Sequence, residues 1–446
     1  MKTIITNSII ITMNSDMEVF PDGYVKIEGT KILETGPSCD LKETTEELRA
    51  AGWQIKDGKR GILMPGMVNT HCHLGMIPFR GLGDDCKDRL RVFLLPMEQK
   101  AMSRRMAALS SRYAICELLL SGVTSVMDMY YFEAAVAQVM DQTGIRGIAG
   151  QTLMDEGGCD ASDADQSLSM AKELIETYRM HPRISGCAAP HATNTCSPQI
   201  LKKAWELDTA NQVPFTLHAA EMDYEMTWLA QTRGCTPVGY LDQLGVLSNQ
   251  TAAAHCIHLT DRDIEILRQR GSGVCHCIGS NAKAAKGVAP VLKMLKEGVS
   301  VGLGTDGPAS GNTLDLFTQM RLCAGFQKND SHDRSAMPAK DIVSMATRQG
   351  ARVLGLEEKI GSIEPGKEAD LVLVETDSPN MFPVYDPYSA LVYSANASNV
   401  RDVYVAGTCL VQDKKLVYED FESIRRELSD CMGRSAFGEM QELHRL

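Results

Sequence analysis

The sequence has no apolar run that approaches the ~18 residues of a membrane-spanning helix. Its opening stretch, MKTIITNSIIITMNS, interrupts the apolar positions with Asn, Thr and Ser and so lacks the pattern of a secretory signal. Basic residues are outnumbered, with 45 Lys and Arg against 57 Asp and Glu, and the formal net charge is −12. No basic stretch offsets this balance, which argues against nucleic-acid and membrane partners. We expect a cytoplasmic protein with a small-molecule partner.

Paired CxxC motifs are also missing, although the chain has 14 cysteines. Cys275 and Cys277 flank His276, but no second cysteine pair follows, which argues against a zinc finger. We expect reduced thiols that are mostly buried as small apolar side chains. Histidine is scarce, with ten residues in 446, so the positions of the histidines are informative.

Short apolar runs alternate with amphipathic stretches through the middle of the chain. Runs such as VTSVMDM, VPFTLHAAE and VSVGLGTDG are separated by segments such as SPQILKKAWELDTANQ and LTDRDIEILRQRGS. These segments open with Ser-Pro and Thr-Asp, which are helix-start signals. Strands that alternate with helices indicate a parallel sheet, and seven or eight such units over about 300 residues favour a (β/α)8 TIM-type barrel of the α/β class.

The two ends of the chain are similar to each other in composition and differ from the middle. Both contain short strand-like pieces rich in Ile, Val, Thr and Gly. We predict that both ends combine in a small β-sandwich domain. Its first part would be residues 1–65, the barrel 66–360, the second part 361–425, and a C-terminal helix 426–446. That helix is amphipathic and is expected to pack on the barrel or on a neighbouring subunit of a homo-oligomer.

Ionisable side chains follow the predicted barrel strands, at the end where barrel enzymes keep their active sites. Two of them, His71 and His73, are two residues apart and would share one face of an extended segment. The full set is His71, His73, His191, His218, Glu221, His255, His276 and Asp306. A single strand-end histidine is commonly structural, but this joint placement at successive strand ends predicts metal-dependent catalysis.

The side chains that can surround a single metal ion are three imidazoles and one carboxylate: His71, His73, His218 and Asp306. Such a set suits one Zn²⁺, with Fe²⁺ as the alternative, and leaves a position for a water whose pKa the metal would lower towards ~7. Glu221 is placed to transfer protons. His255 can hold the attacking oxygen, and Asp306 can accept its proton. No lysine that could bridge a second metal is found in RISGCAAPH, so one metal is expected.

Six segments in this order carry a family resemblance: PGMVNTHCH, HAAE, AHCIHLT, SNAKAAKGVAPV, GLGTDGPAS and GSIEPGKEADLVLVE. Over about residues 1–425 the chain resembles the amidohydrolase superfamily, within it the group of S-adenosylhomocysteine/methylthioadenosine deaminases and triazine hydrolases. The resemblance implies a barrel flanked by a β-sandwich from both termini and one divalent metal. It also implies His71, His73, His218 and Asp306 as ligands, Glu221 as proton shuttle and His255 beside the hydroxide.

Two further positions match the adenosine-type deaminases of that group. Glu98 in LLPMEQK matches a glutamate that, by this resemblance, binds ribose hydroxyls. His191 in APHATNTCS matches a histidine that lies against the substrate. Gln151 stands where the group often has an arginine for a carboxylate-bearing tail, so recognition of a homocysteine tail stays open.

The resemblance therefore implies a hydrolytic deaminase that removes an exocyclic amine as ammonia from a purine nucleoside or a related N-heterocycle. Adenosine-type thioether nucleosides are the preferred substrates. A triazine-type aminohydrolase or chlorohydrolase and a guanine- or pterin-type deaminase are alternatives that use the same machinery. A catalytically silent metal-binding scaffold is a third alternative, and the presence of Glu221 and of all four ligands argues against it.

Overall fold

Residues 2–434 are described by the computed structural model, and the chain begins in a β-sheet. Strand β1 pairs antiparallel with β2 and parallel with β4 and β5, so it is the central strand of this first part. A short helix, α1, starts at a capping box between Thr44 and Glu47. The bounds are β1 Lys2–Ile11, β2 Val19–Glu28, β3 Lys31–Pro37, α1 Thr45–Ala50, β4 Gln54–Asp57 and β5 Ile62–Pro65.

Eight parallel strands follow within the described residues and form a closed barrel. They are β6 Met67–Cys72, β7 Val123–Tyr130, β8 Arg146–Leu153, β9 Ile184–Pro190, β10 Phe215–Ala219, β11 Thr251–His255, β12 Gly273–His276 and β13 Val301–Leu303. Their residues are almost all buried, as expected for strands covered on both faces. The backbone N–H of Asp306 donates to the carbonyl oxygen of His71 at 3.1 Å and joins the last strand to the first.

Helices connect the barrel strands and lie outside them. The first is α2 Leu95–Ala101, and those that follow are α3 Arg104–Leu120, α4 Glu133–Thr143, α5 Ala164–Tyr178, α6 Pro198–Asn211, α7 Asp223–Arg233, α8 Pro237–Leu244, α9 Asp261–Arg270, α10 Ile278–Lys283, α11 Val291–Lys296, α12 Leu316–Ser331, α13 Ala339–Ala346 and α14 Arg348–Val353. The predicted start of α9 at Thr260 is observed, and its side chain accepts from the N–H of Asp263. Gly271 ends α9 with a φ of 70°.

The chain then returns to the first sheet. The remaining elements are β14 Leu371–Val374, α15 Pro387–Ser389, β15 Val400–Val405, β16 Thr408–Gln412, β17 Lys415–Leu416 and α16 Phe421–Gly433. Strand β14 pairs antiparallel with β5, so among the described residues both ends of the chain build one nine-stranded sheet. Ile10, Leu63 and Leu371 pack together in its core. The predicted barrel with a small terminal β-domain is confirmed.

A buried ion pair and a helix attach the β-domain to the barrel. Arg146 of β8 and Asp370, next to β14, are both 3% exposed, and their side chains are 2.8 Å apart. Helix α16 packs against α3, where the rings of Tyr113 and Phe421 lie 4.7 Å apart. The predicted helix over 426–446 lies partly outside the described residues, since 435–446 are not among them. No helix within residues 2–434 is long and apolar enough to cross a bilayer.

Candidate active site

Three buried histidines meet at the carboxyl ends of the barrel strands. His71 lies in β6, His73 directly follows it, and His218 lies in β10. Each offers a ring nitrogen, and these three atoms lie within 4.8 Å of one another. The alternation of a strand explains why His71 and His73, two residues apart, face the same way. The group can hold a metal ion.

Hydrogen bonds fix the orientation of two of these rings. His73 donates from Nδ1 to the carbonyl oxygen of Met129 at 2.5 Å, and His218 donates from Nδ1 to the carbonyl oxygen of His191 at 2.7 Å. In each ring Nε2 is then the nitrogen left for a cation. His71 is fully buried, and neither of its ring nitrogens has a partner among the described residues. Burial lowers the pKa of His71 well below its usual range, so this ring is neutral and can bind metal.

Asp306 follows β13 and completes the cluster. Its Oδ1 lies 3.1 Å from Nε2 of His73 and accepts from the N–H of Gly307 at 2.6 Å. Burial opposes a charge on His73, but Asp306 outweighs it and raises the pKa of His73 to about 9. A bound cation would displace that proton, because a ligating imidazole is neutral. Asp306 and His255 have φ values of 59° and 70°, in the left-handed region that residues with a Cβ adopt infrequently.

Glu221 and His255 lie beside the cluster. Nε2 of His255 is 3.6 Å from Oε1 of Glu221 and 3.9 Å from Oδ2 of Asp306. The other ring nitrogen, Nδ1, donates to Oδ1 of Asn281 at 2.9 Å. Nζ of Lys286 donates to Oε1 of Glu221 at 2.5 Å. Burial opposes ionisation of Glu221, but the charges of His255 and Lys286 outweigh it and hold the pKa of Glu221 well below its usual range.

Glu98 and His191 lie further along the same cavity. Glu98 is 3% exposed, and its Oε1 accepts from the hydroxyl of Tyr130 at 2.6 Å. Burial raises the pKa of Glu98 to about 7, although the hydrogen bond from Tyr130 opposes this. Nδ1 of His191 lies 3.0 Å from Oγ1 of Thr195, and burial lowers the pKa of His191 to about 4. The structure thus places a nearly buried carboxyl and a neutral imidazole in reach of one ligand.

The cavity has a volume of about 410 Å³. Its lining includes His73, Glu98, Tyr130, His191, His218, Glu221, His255, Lys286, Asp306 and Ser310. Gln151 is 1% exposed and donates to Oδ2 of Asp160 at 3.0 Å, so its amide is engaged away from the cavity. His276 is fully buried and is not part of the lining.

Three residues of this site could not be predicted from the sequence. Lys286 lies within the quoted segment SNAKAAKGVAPV, but the spacing did not indicate which of its two lysines reaches Glu221. Asn281 in the same segment and Tyr130 in VTSVMDMY carried no signal, because their hydrogen bonds to His255 and Glu98 arise only from the packing of a helix against a barrel strand.

Comparison with known proteins gives consistent matches. Residues 62–410 match the amidohydrolase family. The chain is 38% identical over 417 residues, 93% of its length and 94% of the relative's, to a 5-methylthioadenosine/S-adenosylhomocysteine deaminase from Thermodesulfovibrio yellowstonii. It is 37% identical over 421 residues, 93% and 96% of the two lengths, to a 5'-deoxyadenosine deaminase from Methanopyrus kandleri. An adenosine deaminase structure from Xanthomonas campestris with bound zinc superposes with a TM-score of 0.92 at 30% identity, covering 97% of this chain and 98% of that one.

Proposed function

The chain belongs to the amidohydrolase family, and we propose that it deaminates adenosine-type nucleosides by hydrolysis. The family resemblance read from the sequence is confirmed, as is the expectation of a hydrolase of the deaminase type that acts on carbon–nitrogen bonds. The cytoplasmic location and the homo-oligomeric state stay predictions. The observation that carries the proposal is the joint placement of Glu221, His73, His218 and Asp306 in the lining of one cavity.

We assign His71, His73, His218 and Asp306 as the residues that would hold a single divalent ion, with zinc as the first choice. Support comes from the two rings whose Nδ1 atoms are already engaged and from His71, whose buried nitrogens have no partner among the described residues. When bound, such an ion lowers the pKa of a bound water towards ~7.

The chain's own groups would then carry the protons. Glu221, held ionised, accepts one proton from the attacking water and passes it to a ring nitrogen of the heterocycle. His255 holds the water in place, since its Nδ1 is fixed by Asn281 and its Nε2 faces Glu221 and Asp306. Asp306 takes the second proton, which leaves with the amine as ammonia.

Ribose recognition is assigned to Glu98, with His191 against the ring. A carboxylate that accepts from ribose hydroxyls has to be reachable and partly desolvated, and Glu98 lines the cavity while Tyr130 engages one of its oxygens. The second oxygen of Glu98 is the acceptor available to a sugar. The imidazole of His191 is neutral near pH 7 and can hydrogen-bond the heterocycle without adding charge.

The substrate's 5' substituent is proposed to be uncharged, as in methylthioadenosine or 5'-deoxyadenosine. Three of the four lysines and arginines that line the cavity already have partners, and the fourth, Lys87, is exposed to solvent. Lys283 pairs with Asp84 at 2.7 Å, Arg89 donates to backbone carbonyls including that of Ala309 at 2.6 Å, and Lys286 pairs with Glu221. A carboxylate tail would compete with these contacts, which favours the neutral nucleosides.

Ammonia release from a substrate panel tests the proposal. The panel holds adenosine, 5'-deoxyadenosine, methylthioadenosine, S-adenosylhomocysteine, guanine, a pterin and an aminotriazine. We expect the highest kcat/KM on nucleosides with an uncharged 5' substituent and a lower value on S-adenosylhomocysteine. Turnover of the triazine or of guanine, with inactivity on every adenosine derivative, would overturn the assignment.

A further inference from the structure

Lys286 is a lysine inside the cavity that no proposed ligand or substrate contact explains. Its side chain is 15% exposed, and its Nζ lies 2.5 Å from Oε1 of Glu221. Lys283, three residues earlier in the same segment, turns instead to Asp84 and to Oδ1 of Asn312. The two lysines of this short segment thus have different partners. Lys286 contacts the proton-transferring carboxylate of Glu221, and Lys283 does not.

The backbone fixes the position of Lys286. Helix α10 ends at Lys283, and Ala285 adopts a φ of 53°, which reverses the chain. The N–H of Lys286 then donates to the carbonyl oxygen of Asn281 at 2.9 Å, in the six-to-one pattern that closes a helix. The side chain of the same Asn281 accepts from His255 at 2.9 Å. One asparagine therefore sets both His255 and Lys286 against Glu221.

The surroundings of Glu221 come from several elements. Facing it are His191 after β9, His218 in β10, Tyr224 and Glu225 in α7, His255 at the end of β11, and Lys286 after α10. Glu225 accepts the backbone N–H of Glu221 at 3.0 Å, and burial raises the pKa of Glu225 to about 7. A carboxyl that is largely protonated below pH 7 adds little repulsion there. His255 and Lys286 both stabilise the charge of Glu221, and Lys286 at 2.5 Å lies closer to its Oε1 than His255 at 3.6 Å.

We propose that Lys286 is a positioning residue for the deamination, which holds Glu221 as a carboxylate by binding its Oε1 atom. The inference rests on the proposed function. A buried carboxyl without a counter-ion takes up a proton, because desolvation disfavours the charged form. A protonated Glu221 cannot accept the proton of the attacking water. Lys286 therefore extends the activity towards acid pH.

The pH dependence of kcat at saturating nucleoside tests this role, because the ionisation of Glu98 is expected to change KM. Lys286→Met and Lys286→Gln remove the charge, and Lys286→Arg keeps it. We expect the acid limb of kcat to move up by about one to three pH units in the first two, as for a carboxyl that loses a neighbouring cation. In Lys286→Arg the limb should stay within about half a unit of wild type. Metal content is measured at each pH, so that loss of the ion is not mistaken for titration of Glu221.

The matched control is Lys283→Met, which removes the other lysine of the segment and should keep the wild-type acid limb. The inference is overturned if Lys286→Met and Lys286→Gln fold, bind metal and lose rate equally at every pH. It is also overturned if Lys286→Arg shifts the limb as far as Lys286→Met. A wild-type protein inactive on the whole panel would instead refute the proposed function, so the two failures are distinguishable.

Discussion

The ring of His218 donates its Nδ1 proton to the backbone carbonyl oxygen of His191, 2.7 Å away. The residue that directly follows one barrel strand thereby orients the ring on the next strand. A backbone carbonyl does not titrate, so the tautomer of the neutral His218 is fixed at every pH at which the barrel is folded. His73 and the carbonyl of Met129 form the same arrangement between the end of β6 and the neighbouring strand β7, which leaves two Nε2 atoms for one cation.

Removal of His71 should release the metal. His71→Ala deletes an imidazole whose nitrogens have no partner among the described residues. Loss of a group that only hydrogen-bonds a ligand typically costs about 10–100-fold in metal affinity, so for a ligand itself we expect a loss of at least about 100-fold. Metal per chain after dialysis measures this. His276→Ala is the control. It removes another fully buried histidine whose ring nitrogens have no partner within residues 2–434 and which lies outside the cavity lining, so this variant should keep the ion. Equal retention in both variants would contradict the ligand assignment.

Neutralising the proton carrier should separate catalysis from metal binding. Glu221→Gln keeps the shape of the side chain but cannot accept a proton. We expect kcat to fall by ~10²–10⁴, the usual contribution of general acid–base catalysis, at unchanged metal content. Steady-state ammonia release with parallel elemental analysis checks both values. A variant with nearly full kcat would show that another group carries the proton.

Ribose binding should depend on the ionisation of Glu98. Its pKa of about 7 means that it is protonated in mild acid and ionised in mild alkali, where it accepts best from hydroxyls. We expect KM for nucleosides to rise as the pH falls below 7, and Glu98→Gln to raise KM while removing that dependence. Free adenine, which has no ribose, serves as the comparison substrate. An equal effect of Glu98→Gln on adenine and on nucleosides would argue against a role at the sugar.

The same carboxyl should lower the stability of the fold at alkaline pH. Folding raises the pKa of Glu98 from 4.5 to about 7, so the folded state binds this proton more tightly and stability falls as the pH rises between these values. That difference corresponds to about 3 kcal/mol. Glu98→Gln should therefore be more stable than wild type at pH 8 and similar at pH 5. Urea unfolding at the two pH values measures the free energy of unfolding of each protein. A Glu98→Gln variant less stable than wild type at pH 8 would contradict the claim that ionised, buried Glu98 destabilises the fold.

The strand ends could be read from the sequence because their signal is local. Continuous apolar runs predict buried parallel strands, and a histidine or carboxylate directly after such a run has to lie at the barrel's carboxyl face. His71, His218 and Asp306 were found in this way, and the structure brings them into one cluster with His73.

Lys286 and Tyr130 could not be found in this way. The direction of Lys286 depends on the left-handed conformation of Ala285, which an alanine does not reveal in a sequence. Tyr130 sits on a barrel strand, and its bond to Glu98 joins two segments 32 residues apart. The engagement of Gln151 by Asp160 likewise depends on a loop that has no regular pattern.

Anomalous diffraction at the zinc edge, from crystals of protein with measured deaminase activity, is the most direct test. We expect one peak in the barrel, within bonding distance of Nε2 of His73, Nε2 of His218, a ring nitrogen of His71 and a carboxylate oxygen of Asp306. Active protein with no ion between these four side chains, or with its ion held elsewhere, would contradict the proposed site.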